Sequence, residues 1–336
     1  MNLIVQITNR LNMKKTVFYF LVPVTILLNV KCGGDDDPID PVYRQYMREF
    51  VENMSQYAKT RKNSFIIIPQ NGQELVTENG EEVGNPAIAY LQAIDGAGRE
   101  DLFYGYDDDN QGTPAGERDY MIAFLDVCKS NGVRVLTTDY CWTESKMDDS
   151  YQQNSNKGYI SFAATDRELR EIPDYPATPY HVNAENINKL ADAANFLYLI
   201  NPENYSDKQS FLNALAATDY DVLIIDYFFE DEEYTSQEIA GLKTKHNGGK
   251  RLVISYMSIG EAEDYRYYWN PDWYSDPPEW LRGENPDWEG NYKVAYWEQG
   301  WQSIIFGNPE SYLDKILSKG FDGAYLDIID AFEYFE

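Results

Sequence analysis

The sequence predicts an α/β protein with a (β/α)8 TIM barrel as its single domain. From residue 43 onward, short apolar runs typical of buried strands alternate with amphipathic stretches at helical spacing. The chain has 336 residues, and the roughly 290 that follow its N-terminal segment suit one barrel of about 250 residues with insertions. Several of the apolar runs also end in acidic residues. In a barrel, all of these strand ends meet on one face.

Five strand-like runs carry carboxylates at their downstream ends. A lone aspartate in an apolar run is costly to bury unless it is paired or reaches water, and the mouth of a barrel gives that access. For any one run the acid could instead cap the helix that follows, but this alternative does not account for five. The runs and their acids are 320–330 with Asp327, 221–227 with Asp226, 133–140 with Asp139, 94–101 with Glu100 and Asp101, and 252–264 with Glu261, Glu263 and Asp264.

The composition argues against several functional classes. The formal net charge is −28, which argues against a nucleic-acid partner because binding requires basic groups that neutralise phosphates. His181 and His246 are the two histidines, so a Ser-His-Asp triad or a histidine metal centre is not expected. Acid–base chemistry in this chain must then come from carboxylates.

Residues 1–31 are predicted to be an export signal. Lys14 and Lys15 precede an apolar run, 16–30, that is short for a membrane span. Cys32 and the acidic stretch after it resemble the junction and tether of a bacterial lipoprotein. This predicts an outer-membrane or cell-surface lipoprotein of a Gram-negative bacterium, anchored in the membrane by a lipid on Cys32. A signal retained as a plain anchor is the alternative. Residues 32–42 would form the tether and residues 43–336 the barrel.

Cys128 and Cys141 are the remaining cysteines. An exported protein could join them in a disulfide. One falls in a predicted helix and the other follows a predicted strand, and the sequence does not give their separation. We therefore predict two free, buried thiols.

The order of the elements predicts a rearranged barrel. An amphipathic helix over 43–61 has no strand before it, and the strand of Asp327 has no helix after it. This helix could therefore follow that strand in a closed ring. Other helices are predicted near 117–130, over 183–194 with Asn183 as cap, over 206–217 with a Ser206–Gln209 capping box, from 236, and over 308–319, whereas 145–156 is predicted to be a polar loop. The predicted strand centres are Phe196, Asp226, Tyr256, Val294, Asp327, Ile67, Gly98 and Leu136, with 159–163 as a short extra strand.

An aromatic loop broken by prolines spans residues 269–301 and contains six of the seven tryptophans. Aromatic faces stack on the C–H surfaces of sugars and attract cations. We expect one or two of these rings to face a ligand and the others to pack the loop. Separately, Gln70 and Asn71 follow the predicted strand 65–69. They are either turn residues or amide donors to a sugar hydroxyl.

Three motifs resemble glycoside hydrolase family 114. They are the block Ser258–Arg266 (SIGEAEDYR), the run Gly320–Gly323 (GFDG) and the strand end Tyr325–Asp327 (YLD). This family comprises TIM-barrel endo-α-1,4-polygalactosaminidases and their prokaryotic relatives. In the family, the segments that resemble 65–72, 95–101 and 133–140 follow the Asp327-like strand, whereas here they precede it. The resemblance therefore implies a circular permutation, which agrees with the order of the elements.

The resemblance implies a glycoside hydrolase with two catalytic carboxylates. Asp327 would act as nucleophile or base and Glu100 as acid, one on each side of the glycosidic bond. The substrate would be an α-linked polysaccharide, with galactosamine polymers as one candidate, and no cofactor or metal is expected. A glycan-binding protein with a silent barrel and a divalent-metal site built from the same acids are the alternatives. The residues expected to bind or orient the sugar are Asp226, Tyr256, Glu261, Asp264, Arg266, Tyr296, Gln70, Asn71, Asp139 and Tyr140, although Asp264 and Arg266 could instead pair with each other.

Overall fold

A computed structural model describes residues 42–336. The predicted export signal, the tether up to residue 41 and the predicted lipid site Cys32 lie outside these residues. Within residues 42–336, no helix is long and apolar enough to cross a membrane. The helices are α1 (Val42–Arg61), α2 (Ile88–Ala93), α3 (Ala115–Ser130), α4 (Glu144–Lys157), α5 (Lys208–Ala216), α6 (Ser236–Leu242), α7 (Gln299–Ile305) and α8 (Tyr312–Lys319).

Thirteen strands are found in the described part of the chain. Most are short and fully buried, as expected where helices cover a parallel sheet. They are β1 (Ile66–Pro69), β2 (Gly96–Glu100), β3 (Arg134–Tyr140), β4 (Ile160–Ala164), β5 (Leu197–Tyr198), β6 (Val222–Ile225), β7 (Phe228–Phe229), β8 (Glu232–Glu233), β9 (Leu252–Ser258), β10 (Glu261–Glu263), β11 (Leu281–Glu284), β12 (Asn291–Val294) and β13 (Gly323–Asp327).

Eight parallel strands form the central layer. One sheet has the order β1-β13-β9-β6-β5 and another the order β2-β3-β4. A parallel bridge between Gln70 and Gly98 joins β1 to β2, and Asn71 N donates to Gly98 O across it at 2.9 Å. At the two far ends, the rings of Phe162 in β4 and Phe196 beside β5 lie 6.0 Å apart. The predicted α/β class with a parallel central sheet is confirmed.

The predicted set of strands was wrong in one member. The strand around Val294, β12, pairs antiparallel with β10 and β11 in a separate three-stranded sheet. Its place in the parallel layer is taken by β4, which was predicted as an extra strand and pairs in parallel with β3. All five residues of β4 are buried, whereas three of the four in β12 are partly exposed. Burial on both faces is typical of a central parallel strand, and the residue pattern did not separate the two cases.

Two helix predictions were also wrong. Residues 145–156, predicted as a loop, lie within α4. Residues 183–194 form no α-helix and contain only the 3-10 turn Leu190–Asp192. A fully buried salt bridge of 2.8 Å between Lys245 and Asp221 binds the backbone of this segment, because Asp221 accepts from Ala194 N and Lys245 donates to Asn183 O. Tertiary partners therefore replace the hydrogen bonds of a helix.

The other predicted helices are present, with small shifts at their ends. Asp207, not Ser206, caps α5, and its carboxylate accepts from Ser210 N in a capping box. Gly320 ends α8 at φ 88°, a left-handed conformation that suits glycine. The helix α1 packs its N-terminal aromatic ring Tyr43 against Trp297 and Phe335.

Candidate active site

Five neighbouring parallel strands each place one polar side chain at their C-terminal ends or just beyond. In spatial order, β9, β13, β1, β2 and β3 contribute Tyr256, Asp327, Gln70, Glu100 and Tyr140. Each of these side chains is hydrogen-bonded to the next one in this order. The site is thus a continuous chain of hydrogen bonds that crosses five strands.

Gln70 bridges the two carboxylates. Its Nε2 donates to Asp327 Oδ1 at 3.1 Å and to Glu100 Oε2 at 2.8 Å. These two oxygens can therefore be no more than 5.9 Å apart, the sum of the two lengths. Asp327 and Glu100, which the sequence predicted to face each other, do meet at one end of the parallel strands.

Each carboxylate also has a tyrosine of its own. Tyr256 Oη donates to Asp327 Oδ2 at 2.7 Å, and Tyr140 Oη donates to Glu100 Oε1. The guanidinium of Arg167 lies over the ring of Tyr140, 3.9 Å from its centroid, and fixes that ring from the other side. Both tyrosines are predicted site residues that the structure brings to the carboxylates.

Burial and like charge raise the pKa of Asp327. Removal from water is the larger cause and the nearby Glu100 carboxylate the second, and together they raise its pKa to about 7. Burial and the carboxylate of Glu333 likewise raise the pKa of Asp330, three residues further along, to about 7. Near neutral pH, Asp327 can thus be either a carboxylic acid or a carboxylate. Two-carboxylate chemistry uses both of these forms.

Asn71 is a second amide that binds Glu100. Its Nδ2 donates to Glu100 Oε2 at 3.1 Å, and its Oδ1 accepts from Glu100 N at 3.3 Å. Its backbone has φ 63°, a left-handed conformation that asparagine tolerates better than most residues. Asn71 is only partly buried, so it remains available to a ligand.

Comparison with known proteins assigns a family to part of the chain. The sequence profile of glycoside-hydrolase family GH114 matches residues 180–335. This stretch is similar to the sequences of that family, and we call it the GH114 stretch. It contains β5 to β13 and therefore Asp327 and Tyr256, whereas Gln70, Glu100 and Tyr140 precede it. The family is named for glycoside hydrolases, enzymes that act on carbohydrates.

Curated relatives match in stretches of similar length. The chain is 43% identical to the uncharacterized protein MJ1477 of Methanocaldococcus jannaschii over 155 residues, which is 45% of this chain and 42% of the relative. It is 43% identical over 123 residues to an uncharacterized protein of Thermotoga maritima, 36% of each chain. An uncharacterized protein of Deinococcus radiodurans is 39% identical over 125 residues, 37% of this chain and 38% of the relative. The chain thus spans about two fifths of the length of the relatives it matches.

A buried ion cluster follows β9 in the GH114 stretch. Arg266 makes two hydrogen bonds to Asp226, of 2.9 and 2.7 Å, and one of 2.7 Å to Glu263. Its side chain is only 8% exposed. Asp264, the alternative partner considered for Arg266, instead accepts from Tyr274 Oη at 2.8 Å. The cluster therefore has a structural role and fixes the loop after β9.

Three predicted sugar-binding residues are corrected by their burial. Asp139 is fully buried and accepts four hydrogen bonds, from Phe103 N, Tyr104 N, Ser150 and Asn154. Glu261 is also fully buried and accepts from Asn285, Asn291 and Tyr334. Tyr296 is buried beside α1, where its hydroxyl donates to Tyr43 O. Their polar atoms are used by the protein itself, so none of them is placed to bind a sugar.

Sequence reasoning missed two inward-facing tyrosines. Burial and the charges of Glu100 and Asp327 raise the pKa of Tyr325 and of Tyr198, which places both near the carboxylates. Their rings lie 5.1 Å apart. Tyr325 stands two residues before Asp327 on β13, and side chains two apart in a strand share a face. That spacing could have identified Tyr325 as a site residue from the sequence.

Most of the aromatic loop is structural, as predicted. Trp280 and Trp301 are buried and lie 5.2 Å apart between ring centroids. Trp288, in contrast, is 54% exposed, as is Trp142 after β3. Cys128 and Cys141 are free and buried, as predicted. Within residues 42–336, no group of three or more histidine, cysteine or acidic side chains is arranged to hold a metal ion.

Proposed function

We propose that this protein is a retaining glycoside hydrolase that cleaves an α-linked polysaccharide with Asp327 and Glu100. The proposal rests on one observation, the bridge of Gln70 between these two carboxylates. It limits their facing oxygens to a separation of 5.9 Å. Retaining glycosidases have carboxyl groups about 5–5.5 Å apart and inverting ones about 6.5–9.5 Å. This upper limit on the distance therefore favours a retaining mechanism.

The proposed reaction has two displacements. The Asp327 carboxylate attacks the anomeric carbon while the Glu100 carboxylic acid gives its proton to the departing glycosidic oxygen. Water then attacks the anomeric carbon of the glycosyl ester, Glu100 takes a proton from that water, and Asp327 leaves as a carboxylate. Atoms and charge balance over the cycle, and Glu100 ends protonated as it began.

The roles of the two carboxylates follow the family resemblance. The raised pKa of Asp327 alone would suit the opposite order, with Asp327 as the acid. Azide rescue separates the two orders. Asp327→Gly with an activated α-glycoside and azide should give the inverted β-glycosyl azide, and Glu100→Ala should give the retained α-azide. If the two products are exchanged between the variants, the roles are reversed.

Galactosamine-containing polymers are the first candidate substrates. The resemblance of the motifs supports them, and a net charge of −28 favours cationic amino sugars. We also propose that the protein is exported and anchored through Cys32, and that its closed barrel is circularly permuted relative to the family. The position of Glu100 and Gln70 before the GH114 stretch of 180–335 supports the permutation.

A panel of glycans tests the function. Reducing-end release is measured from partly deacetylated polygalactosamine and from other α-linked polymers, for the wild type, Asp327→Asn and Glu100→Gln. We expect a loss of at least about 100-fold in each variant. Equal rates in all three proteins would refute the assignment of the carboxylates. Retention of a glycan without any product would support the alternative of a silent binding protein.

A further inference from the structure

Gln70 occupies the junction between the two parallel sheets. Its backbone N donates to Leu326 O of β13 at 2.8 Å, and its backbone also forms the bridge to Gly98 of β2. The next residue, Asn71, adds its own bond to Gly98 O. The backbone at this point is therefore held from both sides, by the strand of Asp327 and by the strand of Glu100.

The side chain of Gln70 is held equally firmly. The residue is only 3% exposed, so it lies behind the carboxylates and does not reach a sugar. This differs from the predicted role of an amide donor to a sugar hydroxyl. Its neighbour Asn71 retains that possibility, because its side chain is only partly buried.

The orientation of the Gln70 amide is determined by the carboxylates. Nε2 donates to both of them, while Oε1 is buried without any hydrogen-bond partner. A buried acceptor without a partner is unfavourable and uncommon. The opposite orientation would set Oε1 against two carboxylate oxygens and would be repulsive unless one of them carried a proton. The amide is therefore oriented with its Nε2 group toward both carboxylates.

Other groups around the pair supply few stabilising charges. No lysine or arginine within residues 42–336 forms a salt bridge with Asp327 or Glu100. Their hydrogen-bond donors are neutral: the side chains of Gln70, Asn71, Tyr140 and Tyr256. The titratable groups that interact electrostatically with Asp327 or Glu100 are Asp101, Asp330, Tyr140, Tyr198, Tyr256, Tyr325 and Tyr334. Arg99 and Arg167 act on their neighbours Asp330, Asp101 and Tyr140.

We infer that Gln70 is the positioning residue of this pair, which orients Asp327 and Glu100 toward each other and stabilises their charged forms without touching the substrate. This inference deepens the proposed function and, for its effect on turnover, rests on it. Donation of a hydrogen bond to a carboxylate favours the ionised state. Gln70 is the one side chain in the described residues that donates to both Asp327 and Glu100. Removal of the Gln70 amide should therefore raise the pKa of both carboxyl groups and leave the distance between them less restrained.

The test replaces Gln70 by methionine, which has a similar length and no amide. The carboxyl pKa values are followed by NMR in protein labelled at the 13C carboxyl groups, with Asp327→Asn and Glu100→Gln as assignment variants. We expect both pKa values to rise by at least about 0.5 in Gln70→Met. Gln73→Met is the matched control, because the amide of Gln73 contacts Glu74 and the guanidinium of Arg99. It should leave both values unchanged.

Kinetics separate positioning from sugar binding. We expect Gln70→Met to lower kcat at least about 10-fold, to shift the pH optimum upward and to leave KM within a factor of about two. A higher KM with the wild-type kcat and pH profile would overturn the inference and restore the sugar-donor role. Unchanged carboxyl pKa values would also overturn it.

A second variant and the titration itself give independent tests. Gln70→Asn retains an amide one methylene shorter that cannot span both carboxylates. It should shift one carboxyl pKa and leave the other, even if the methionine variant does not fold. The titration needs no substrate, so raised pKa values without glycan cleavage in the wild type would support the positioning role and refute the hydrolase. Cleavage with unchanged pKa values would do the reverse.

Discussion

The hydroxyl of Tyr325 lies 2.1 Å from the position that a Cβ atom would occupy on Gly98. Gly98 and Glu100 are two residues apart on β2, and Tyr325 and Asp327 are two apart on β13, so each pair shares a face of the sheet. Glycine at position 98 leaves the space that the buried tyrosine fills. The two strands that carry the carboxylates are thus fitted to each other directly beneath the site.

Gly98→Ala is expected to destabilise the protein. Inserting a methyl group into a filled core typically costs about 1–3 kcal/mol. Removing the hydroxyl in Gly98→Ala/Tyr325→Phe should recover part of that loss, with a coupling of at least about 0.5 kcal/mol in urea unfolding. Gly116→Ala in α3 is the control, because a Cβ there meets no atom within 4 Å. Purely additive effects of the Gly98 and Tyr325 substitutions would contradict the proposed contact.

Asp327 should make stability depend on pH. Its folded pKa is raised to about 7 from 3.8, so the folded protein holds this proton more tightly than the unfolded chain. Stability from this group is present below about pH 4 and is lost as pH rises to about 7. Asp327→Asn, which has no proton to lose, should therefore gain about 1–3 kcal/mol on the wild type between pH 4 and pH 8.

Urea unfolding at pH 4 and pH 8 measures this difference. The exposed Asp276 provides the control substitution, Asp276→Asn, which should change stability by the same small amount at both pH values. A difference between wild type and Asp327→Asn that stays constant over this range would show that the pKa of Asp327 is not raised.

Arg266→Met should be among the most damaging substitutions near the site. It would leave Asp226 and Glu263 buried without their shared cation, a change that typically costs about 3–5 kcal/mol. Arg266→Lys should recover only part of this, because a single ammonium cannot reproduce the planar fork of guanidinium bonds. Arg118→Met, which breaks only the exposed pair with Asp119, should stay within about 0.5 kcal/mol of wild type. Equal unfolding midpoints for the two methionine variants would contradict a structural ion cluster.

Asp139→Asn should affect stability and not the pH profile of activity. The carboxylate of Asp139 accepts from Phe103 N, Tyr104 N and Asn154 Nδ2. The NH2 group of an asparagine at this position would face at least one of these donors and could not accept its hydrogen bond. We expect a loss of about 1–3 kcal/mol. Asp148→Asn, at an exposed aspartate, is the control. A selective rise in KM with unchanged stability would instead return Asp139 to the sugar-binding set.

Much of the site was predictable because its chemistry is concentrated at strand ends. An aspartate that closes an apolar run, as Asp327 does, is difficult to place anywhere except beside a partner or at the mouth of a sheet. The same argument placed Asp139 at a strand end. It did not show whether water or the protein supplies the hydrogen-bond donors to the Asp139 carboxylate. Both have partners in the protein, but Asp139 is fully buried and Asp327 is only partly buried. The helix α4, whose Ser150 and Asn154 bind Asp139, makes this difference.

That helix shows why periodicity failed. Met147, Ser150, Tyr151 and Asn154 form the buried face of α4 at helical spacing, but two of the four are polar. They are polar because they satisfy Asp139: Ser150 Oγ and Asn154 Nδ2 both donate to its carboxylate. A hydrophobic pattern cannot reveal a helix whose inner face is built around a buried charge.

The wrong prediction of β12 in place of β4 for the parallel layer has a similar explanation. Residues 292–297 and 159–163 have comparable aromatic and β-branched content. The first stretch pairs antiparallel with the loop after β9, and the second completes a parallel layer. Which pairing forms depends on contacts distant in sequence, and β-propensity depends strongly on such context.

The division of the site between two stretches of chain offers a practical use. Glu100 and Gln70 lie before residue 165 and Asp327 lies after residue 196, and the stretch between contains no strand and only a 3-10 turn. Two fragments separated in that stretch would each hold one carboxylate and would be silent alone. Fused to a pair of interacting proteins, they would form a complementation reporter whose glycan-cleaving signal appears only on reassembly.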